Sequence, residues 1–206
     1  MQYLLIPASV IIAYLIGSFP TSYIFARSLR GFDIRQVGSK NAGATNVFRS
    51  VGKLAGAATL IIDVVKGVLP VTVIANIFYG FNIDLDYDFY RMLLGLAAIC
   101  GHVWPVFFKF RGCKGVATTV GVALGVAPLI FLPSFVIWLA VFFMTNYVSL
   151  ASIIALISFP IIAAIFGQSF YLILFSVIIS SLSVYKHSTN ISRLLKGEEN
   201  KTVIFK

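Results

Sequence analysis

The sequence predicts an all-α integral membrane protein of about seven transmembrane helices, with its N-terminus outside and its C-terminus cytoplasmic. Three observations carry that prediction. Of 206 residues, 59% are hydrophobic and only 11% charged, with a mean hydropathy of +0.97, whereas a soluble domain carries about 25% charge. Apolar stretches of about 20 residues, the length that crosses a bilayer, recur along the chain. Basic residues fall in three connecting segments and acidic ones in another, the asymmetry that orients a multi-span protein. The spans leave no room for a separate soluble domain, so residues 1–206 read as one polytopic membrane domain.

The first span runs from about Tyr3 to Ala26. It lacks the positive flank of a signal peptide and is followed by Arg27, Arg30 and Arg35, so it is expected to be retained. The second runs from about Leu54 to Tyr79 and is interrupted by Asp63 and Lys66, which share one helical face. Ionisable residues in lipid pair or line a site. A structural pair is one reading, and support of the neighbouring polar segment by Asp63 is another. The third span runs from about Phe89 to Phe108, and the last two from about Val148 to Phe166 and from Phe170 to Tyr185. Residues 115–147 are long for one helix and short for two. Pro128 and Pro133 near the middle predict two short spans meeting around Ala127–Pro133. Gly121 and Gly125 have a spacing that permits close helix packing, as do Gly52 and Gly56.

Topology follows from the loops. The segment 27–53 holds Arg27, Arg30, Arg35, Lys40, Arg49 and Lys53 against Asp33; the segment 109–114 holds Lys109, Arg111 and Lys114. The tail holds Lys186, Arg193, Lys196, Lys201 and Lys206 against Glu198 and Glu199, while Asp84, Asp86 and Asp88 form a loop without a base. An odd number of spans puts all three basic segments in the cytoplasm. The net charge of +9 is therefore a sign of topology, of acidic lipid headgroups and of an anionic substrate, not of nucleic acid. Cys100 and Cys113 form no disulfide framework and read as reduced thiols.

Four polar segments stand out at the expected cytoplasmic helix ends. The first is residues 38–49, with Ser39, Asn41, Thr45, Asn46 and Arg49 among Gly38 and Gly43. It is not a phosphate loop of the Walker type, because Ala44 stands where that motif needs Lys. Its hydroxyls, amides, loose backbone and fixed charge suit a phosphate. The second runs from Lys109 to Thr119, where Arg111-Gly112-Cys113-Lys114-Gly115 opens a helix whose free N–H groups and Lys114 also suit an anion. The third is Val148-Ser149-Leu150-Ala151-Ser152 and the fourth Tyr185-Lys186-His187-Ser188-Thr189-Asn190-Ile191, whose His187 suits a base, a phosphate donor or a merely interfacial role. All four are expected on one membrane face.

Taken together, the chain reads GSKNAGATNVFR, then GHVWPVFFKFRGCKGVAT, then VSLASI, then YKHSTNI. In order and spacing these resemble the pattern GSGNxGATNxxR, GHxxPVFxxFKGGKGVAT, VSLASI, YRHRxNI of the bacterial acyl-phosphate-dependent glycerol-3-phosphate acyltransferases, the PlsY family. Lys40, Arg111, Cys113 and Ser188 depart from it. The resemblance implies transfer of a fatty acyl group from acyl phosphate to the 1-hydroxyl of glycerol 3-phosphate, giving lysophosphatidic acid and phosphate, in the bacterial cytoplasmic membrane with the site facing the cytoplasm. It implies neither metal nor cofactor. By motif position it gives glycerol 3-phosphate binding to Ser39, Arg49, Lys114, His187 and Asn190. Asn41, Thr45, Asn46 and Ser149 would shape the site and hold the acyl phosphate. His102 and His187 are followed five residues on by Phe107 and Ser192, so the His-x4-Asp dyad of other glycerolipid acyltransferases is missing.

Acyl phosphate is a mixed anhydride and already activated, so no covalent Ser or Cys intermediate is needed. Arg49 and Lys114 would offset the repulsion of two anions, and loop N–H groups or Ser149 would stabilise the oxyanion. A soluble acyl-phosphate synthase is a natural partner for a labile amphiphilic donor. A transporter of a phosphorylated solute is the competing reading, with a lipid-binding scaffold third. The chain shows no internal repeat, and its polar residues cluster at one face instead of at mid-membrane.

Overall fold

The structure is a computed structural model and describes residues 2–202; Lys206 of the basic tail lies outside them. Every regular element among the described residues is helical. The chain divides into two compact units, one ending at Val126 and the other starting at Ala127.

The first unit opens with α1 (Gln2–Gly17) and α2 (Thr21–Arg30). The sequence suggests one span to Ala26, but Pro20 lacks the N–H that would continue the ladder, and the helix breaks at Ser18–Pro20. A short helix α3 (Ala44–Ser50) follows the first polar segment. Next come α4 (Lys53–Leu69), a π turn at Pro70–Ile74 and α5 (Ala75–Tyr79) in one continuous run. Asp63 and Lys66 do not interrupt α4: they form an ion pair at 2.8 Å within it. Asp86 caps α6 (Tyr87–Val103) by accepting from Phe89 N at 2.9 Å.

The helix α7 (Val116–Val126) completes the unit. It packs on α4 at a crossing where Gly67 and Gly121 face one another, and a Cβ on either would strike the opposite backbone. Gly125 lies against Val71 on the same side. At 11 residues, α7 is about 16 Å long, half the ~30 Å hydrocarbon core. Carbonyls ending inside lipid need donors. Arg91 supplies them, donating Nη2 to Gly125 O and Nε to Val71 O at 2.9 Å, with its guanidinium over the Tyr87 ring.

The second unit comprises α8 (Pro128–Thr145), α9 (Val148–Ile165), α10 (Phe170–Lys186) and α11 (Ser188–Leu195). The break in 115–147 falls at Ala127 with Pro128 at the first helical position, where proline is tolerated. Pro133, expected to help turn the chain, instead lies inside α8. Phe131, Phe135, Trp138 and Phe142 stack along one face of α8 at successive ring separations of 5.6, 6.2 and 5.1 Å. Trp138 Nε1 donates to Ser152 Oγ of α9 at 3.1 Å, satisfying a polar atom that lipid would leave unpaired. The chain bends by 58° between α10 and α11, with His187 at the joint.

Five helical runs among the described residues are long and apolar enough to cross a membrane, and a sixth if the bent α10–α11 pair is one span. This is a multi-pass, all-α integral membrane protein.

Candidate active site

In the first unit, the polar segment 38–49 folds around the amide of Asn46. Its Nδ2 donates to the carbonyls of Ile34, Val37 and Asn41 at 3.2, 3.0 and 3.0 Å. Its Oδ1 accepts from Ser39 N at 3.1 Å and Ser50 Oγ at 3.3 Å. Asn46 is buried and fully committed to this scaffold. Gly38, at φ 61°, lies so close to it that a Cβ would displace Asn46 Oδ1. The side chains of Ser39 and Thr45 are half-buried and Arg49 is exposed, so the cation and hydroxyls are presented while the amide holds the loop.

At the base of this loop Arg35 pairs with Asp33 at 2.6 Å. The Arg35 hydrogen bonds hold the Asp33 carboxyl below its usual range despite some burial, and the Arg35 pKa is raised in turn. The same guanidinium sits 4.4 Å over the Phe108 ring, tying the first polar segment to the second.

The second segment turns through Lys109 and Phe110, both at positive φ. It then returns along the end of α6, with Gly112 N donating to Val103 O at 3.2 Å and Cys113 N to His102 O at 3.3 Å. Gly112 has no space for a Cβ, which would strike His102 O and Pro105. Cys113, by contrast, is not at positive φ, and its Sγ accepts from Asn41 Nδ2 at 3.4 Å. The departure from glycine at this position is thus accommodated without backbone strain. Lys114 and Gly115 lead directly into α7, whose first N–H groups have no partner within the helix. Asp63 supports the first segment only at one remove. Its partner Lys66 donates to Phe19 O, and Ser22 of the following turn donates to Ala42 O.

In the second unit the relevant side chains are buried. Ser149, His187 and Asn190 are 7%, 2% and 3% exposed. His187 Nδ1 donates to Ser183 O, one helical turn back, at 2.7 Å, which fixes the ring at the bend. Ser149 Oγ donates to Glu199 Oε1 at 3.1 Å and Asn190 Nδ2 to the same oxygen at 2.9 Å, while Arg193 Nε binds Oε2 at 2.8 Å. Burial pushes the Glu199 carboxyl up, but the donors Arg193, Asn190 and Ser149 outweigh it and hold it below its usual value. Asn190 Oδ1 is buried without a hydrogen-bond partner among the described residues.

Sequence reasoning treated Glu199 as part of a charged tail. An acidic residue in a strongly basic tail was the signal that it neutralises something specific. Ser22 gave no signal at all.

Helices across a bilayer, with cations and hydroxyls held on tied loops at their ends, define a multi-pass membrane protein equipped for an anionic substrate. A family model described as glycerol-3-phosphate acyltransferase matches residues 7–197. A glycerol-3-phosphate acyltransferase of Thermoanaerobacter sp. (strain X514) is 46% identical over 193 residues, covering 94% of this chain and 93% of the relative. That of Aquifex aeolicus (strain VF5) is 42% identical over 192 residues, covering 93% and 96%. The crystal structure of PlsY (YgiH), an integral membrane glycerol 3-phosphate acyltransferase, in its glycerol 3-phosphate form superposes with a TM-score of 0.86 at 40% identity, covering 96% of each chain. The lysophosphatidic acid form of that protein gives 0.83 at 39% identity, covering 96% of this chain and 95% of that one. The chain belongs to the glycerol-3-phosphate acyltransferase family typified by PlsY, and it is an integral membrane acyltransferase.

Proposed function

We propose that this protein transfers a fatty acyl group from acyl phosphate to the 1-hydroxyl of glycerol 3-phosphate, at the cytoplasmic face of a bacterial inner membrane. The observation that carries the reading is the 40% identity over 96% of the chain to an acyltransferase crystallised in a glycerol 3-phosphate form, with all four polar motifs retained in order. By motif position, Ser39, Arg49, Lys114, His187 and Asn190 bind glycerol 3-phosphate. Asn41, Thr45 and Asn46 shape the loop around the acyl phosphate. Residues 1–206 belong to one polytopic membrane domain, and a soluble acyl-phosphate synthase delivers the donor.

The glycerol hydroxyl oxygen attacks the acyl carbonyl carbon, and the bond from that carbon to the phosphate oxygen breaks with its electron pair on phosphate. Arg49 and Lys114 offset the repulsion between the two anions. The first N–H groups of α7 serve the developing oxyanion. Ser149 is the poorer candidate for that task, because its proton is already given to Glu199; it positions Glu199, and through it Asn190. His187 binds phosphate, and a phosphate oxygen of a substrate takes the hydroxyl proton. Asn190 Oδ1, without a partner, is an acceptor suited to a glycerol hydroxyl.

Purified protein given radiolabelled glycerol 3-phosphate should form lysophosphatidic acid with acyl phosphate and not with an acyl thioester. Activity with the thioester alone overturns the donor assignment. For topology we propose seven passes, with α7 as the shortest. A tag at the C-terminus should be reached only from the cytoplasm and one at the N-terminus only from outside. Protease protection that finds both ends on one side removes the odd count.

A further inference from the structure

Resting on the acyl-transfer reading above, we propose that the buried Asp63–Lys66 pair positions the phosphate-binding side chains. Without touching substrate, it sets the first polar loop and the start of α7 against one turn of α4.

An ion pair with side chains only 2% and 7% exposed is a costly thing to place inside a span. Holding α4 to α7 does not require it, since Gly67 and Gly121 already bring the two backbones together. What it does instead is aim Lys66 at polar backbone outside α4, on the same turn whose main chain receives α7. Lys66 Nζ, 2.8 Å from Asp63 Oδ1, donates a second bond to Phe19 O at 3.1 Å, in the break between α1 and α2. Three residues on, Ser22 Oγ donates to Ala42 O at 2.6 Å, in the middle of the loop that carries Ser39 and Arg49. On the other side the Asp63 carbonyl accepts from Thr118 Oγ1 at 3.1 Å, four residues after Lys114. One turn of α4 therefore fixes both the loop of Arg49 and the first turn of the helix that Lys114 precedes. A small cleft lined by Lys66, Ser22, Ala42, His102 and Cys113 runs along this junction. Asn41 Nδ2 on Cys113 Sγ marks the place where the two loops touch.

The test uses the full chain in detergent, in a Cys100→Ala background so that Cys113 is the thiol read. Three quantities are measured: thermal midpoint, kcat and KM for glycerol 3-phosphate, and the rate of Cys113 alkylation by a maleimide. Lys66→Met alone leaves a buried carboxylate without its partner and should lower the midpoint most. Asp63→Leu/Lys66→Met removes both charges and should recover the midpoint. Even so, its KM should be raised about tenfold, the worth of a charge-assisted hydrogen bond, with kcat changed less and alkylation several-fold faster. Ser22→Ala leaves the pair intact and cuts only the link to Ala42; it should raise KM and alkylation at a near wild-type midpoint.

Wild-type KM and alkylation in a folded double variant overturn the proposal. If the double variant does not fold, Ser22→Ala decides: unchanged KM and alkylation there overturn it. Wild-type protein that does not acylate glycerol 3-phosphate overturns the acyl-transfer reading instead, and the alkylation rates still decide the positioning role.

Discussion

The two units hold their proposed site residues in opposite ways. In the first, Arg49 is exposed in the last turn of α3 and Lys114 half-buried just before α7; the adjoining loops are ordered by carbonyls that accept from Asn46 and Ser22 and by N–H groups that donate to the end of α6. In the second, Ser149, His187 and Asn190 are buried and gathered by a carboxylate and a helix bend. The difference follows from electrostatics. A cation that must meet a dianion does so best where water keeps it charged until the ligand arrives. An amide or imidazole that must meet a ligand in one orientation does so best where packing locks its rotamer. Loss of a cation should therefore cost binding and little stability, whereas loss of the carboxylate should cost both.

The largest effect is expected at Glu199. Glu199→Leu strips Ser149, Asn190 and Arg193 of a shared acceptor and leaves buried donors unpaired. The expected cost is about 3 kcal/mol in stability, together with near-complete loss of acyl transfer, read by thermal unfolding in detergent and by product formation. Glu199→Gln keeps one acceptor and should fall between that variant and wild type. The pH dependence has a definite sign. The folded-state pKa of Glu199 lies below the ordinary value of 4.5. Its contribution to stability is thus fully present above that value and lost as pH falls through the lower folded pKa. Between neutrality and pH 5 the protein should show no unfolding step from this residue. A stability loss centred above pH 5 that disappears in Glu199→Gln contradicts the assignment.

Next in size are Arg49→Ala and Lys114→Ala. A charge-assisted phosphate contact is worth roughly 1.5–3 kcal/mol, so kcat/KM should fall by about one to two orders of magnitude. The thermal midpoint should stay near wild type, and this contrast with Glu199 is the sharpest check of the comparison. Near-wild-type kinetics for both variants would remove the phosphate site.

Much of this was legible from the chain. The hydropathy that fixed α9 and α10 did so almost to the residue, because an uninterrupted apolar helix leaves the pattern little choice. The break before Pro128 was legible within 127–133, but the break at Ser18–Pro20 and the surface helices were not. Both prolines look alike in sequence to Pro133, which α8 absorbs. Proline in a helix costs one hydrogen bond, and neighbours decide whether the chain bends there. The short helices α2, α3 and α11 are too polar to show as spans. Among site residues, Asn46 was identified but its task was not: it serves the backbone of its own loop. Glu199 was hidden because its partners Ser149 and Asn190 are brought to it only by folding.

The smallest effects test the two places where this chain carries a side chain on a glycine of the family pattern. Lys40 sits at φ 58°, in the left-handed region, which costs a residue with a Cβ about 1–2 kcal/mol. Lys40→Gly should relieve part of that strain, offset by the extra freedom glycine gains in the unfolded chain. A net gain of about 0.5–1 kcal/mol is expected, read as a higher thermal midpoint and slower hydrogen exchange in the 34–46 loop. Cys113 is not in that region, and its Sγ takes a hydrogen bond from Asn41. Cys113→Gly therefore relieves nothing, frees the backbone and breaks a tie between the two loops. It should lower stability by a similar amount, about 0.5–1 kcal/mol, read as a lower thermal midpoint. Cys113→Ala and Cys113→Ser keep the backbone restraint and should retain acyl transfer, with no acyl adduct on the enzyme by mass spectrometry. The two glycine replacements thus act in opposite directions although the family pattern places glycine at both. The same sign of effect at both positions would show that backbone conformation is not what distinguishes them.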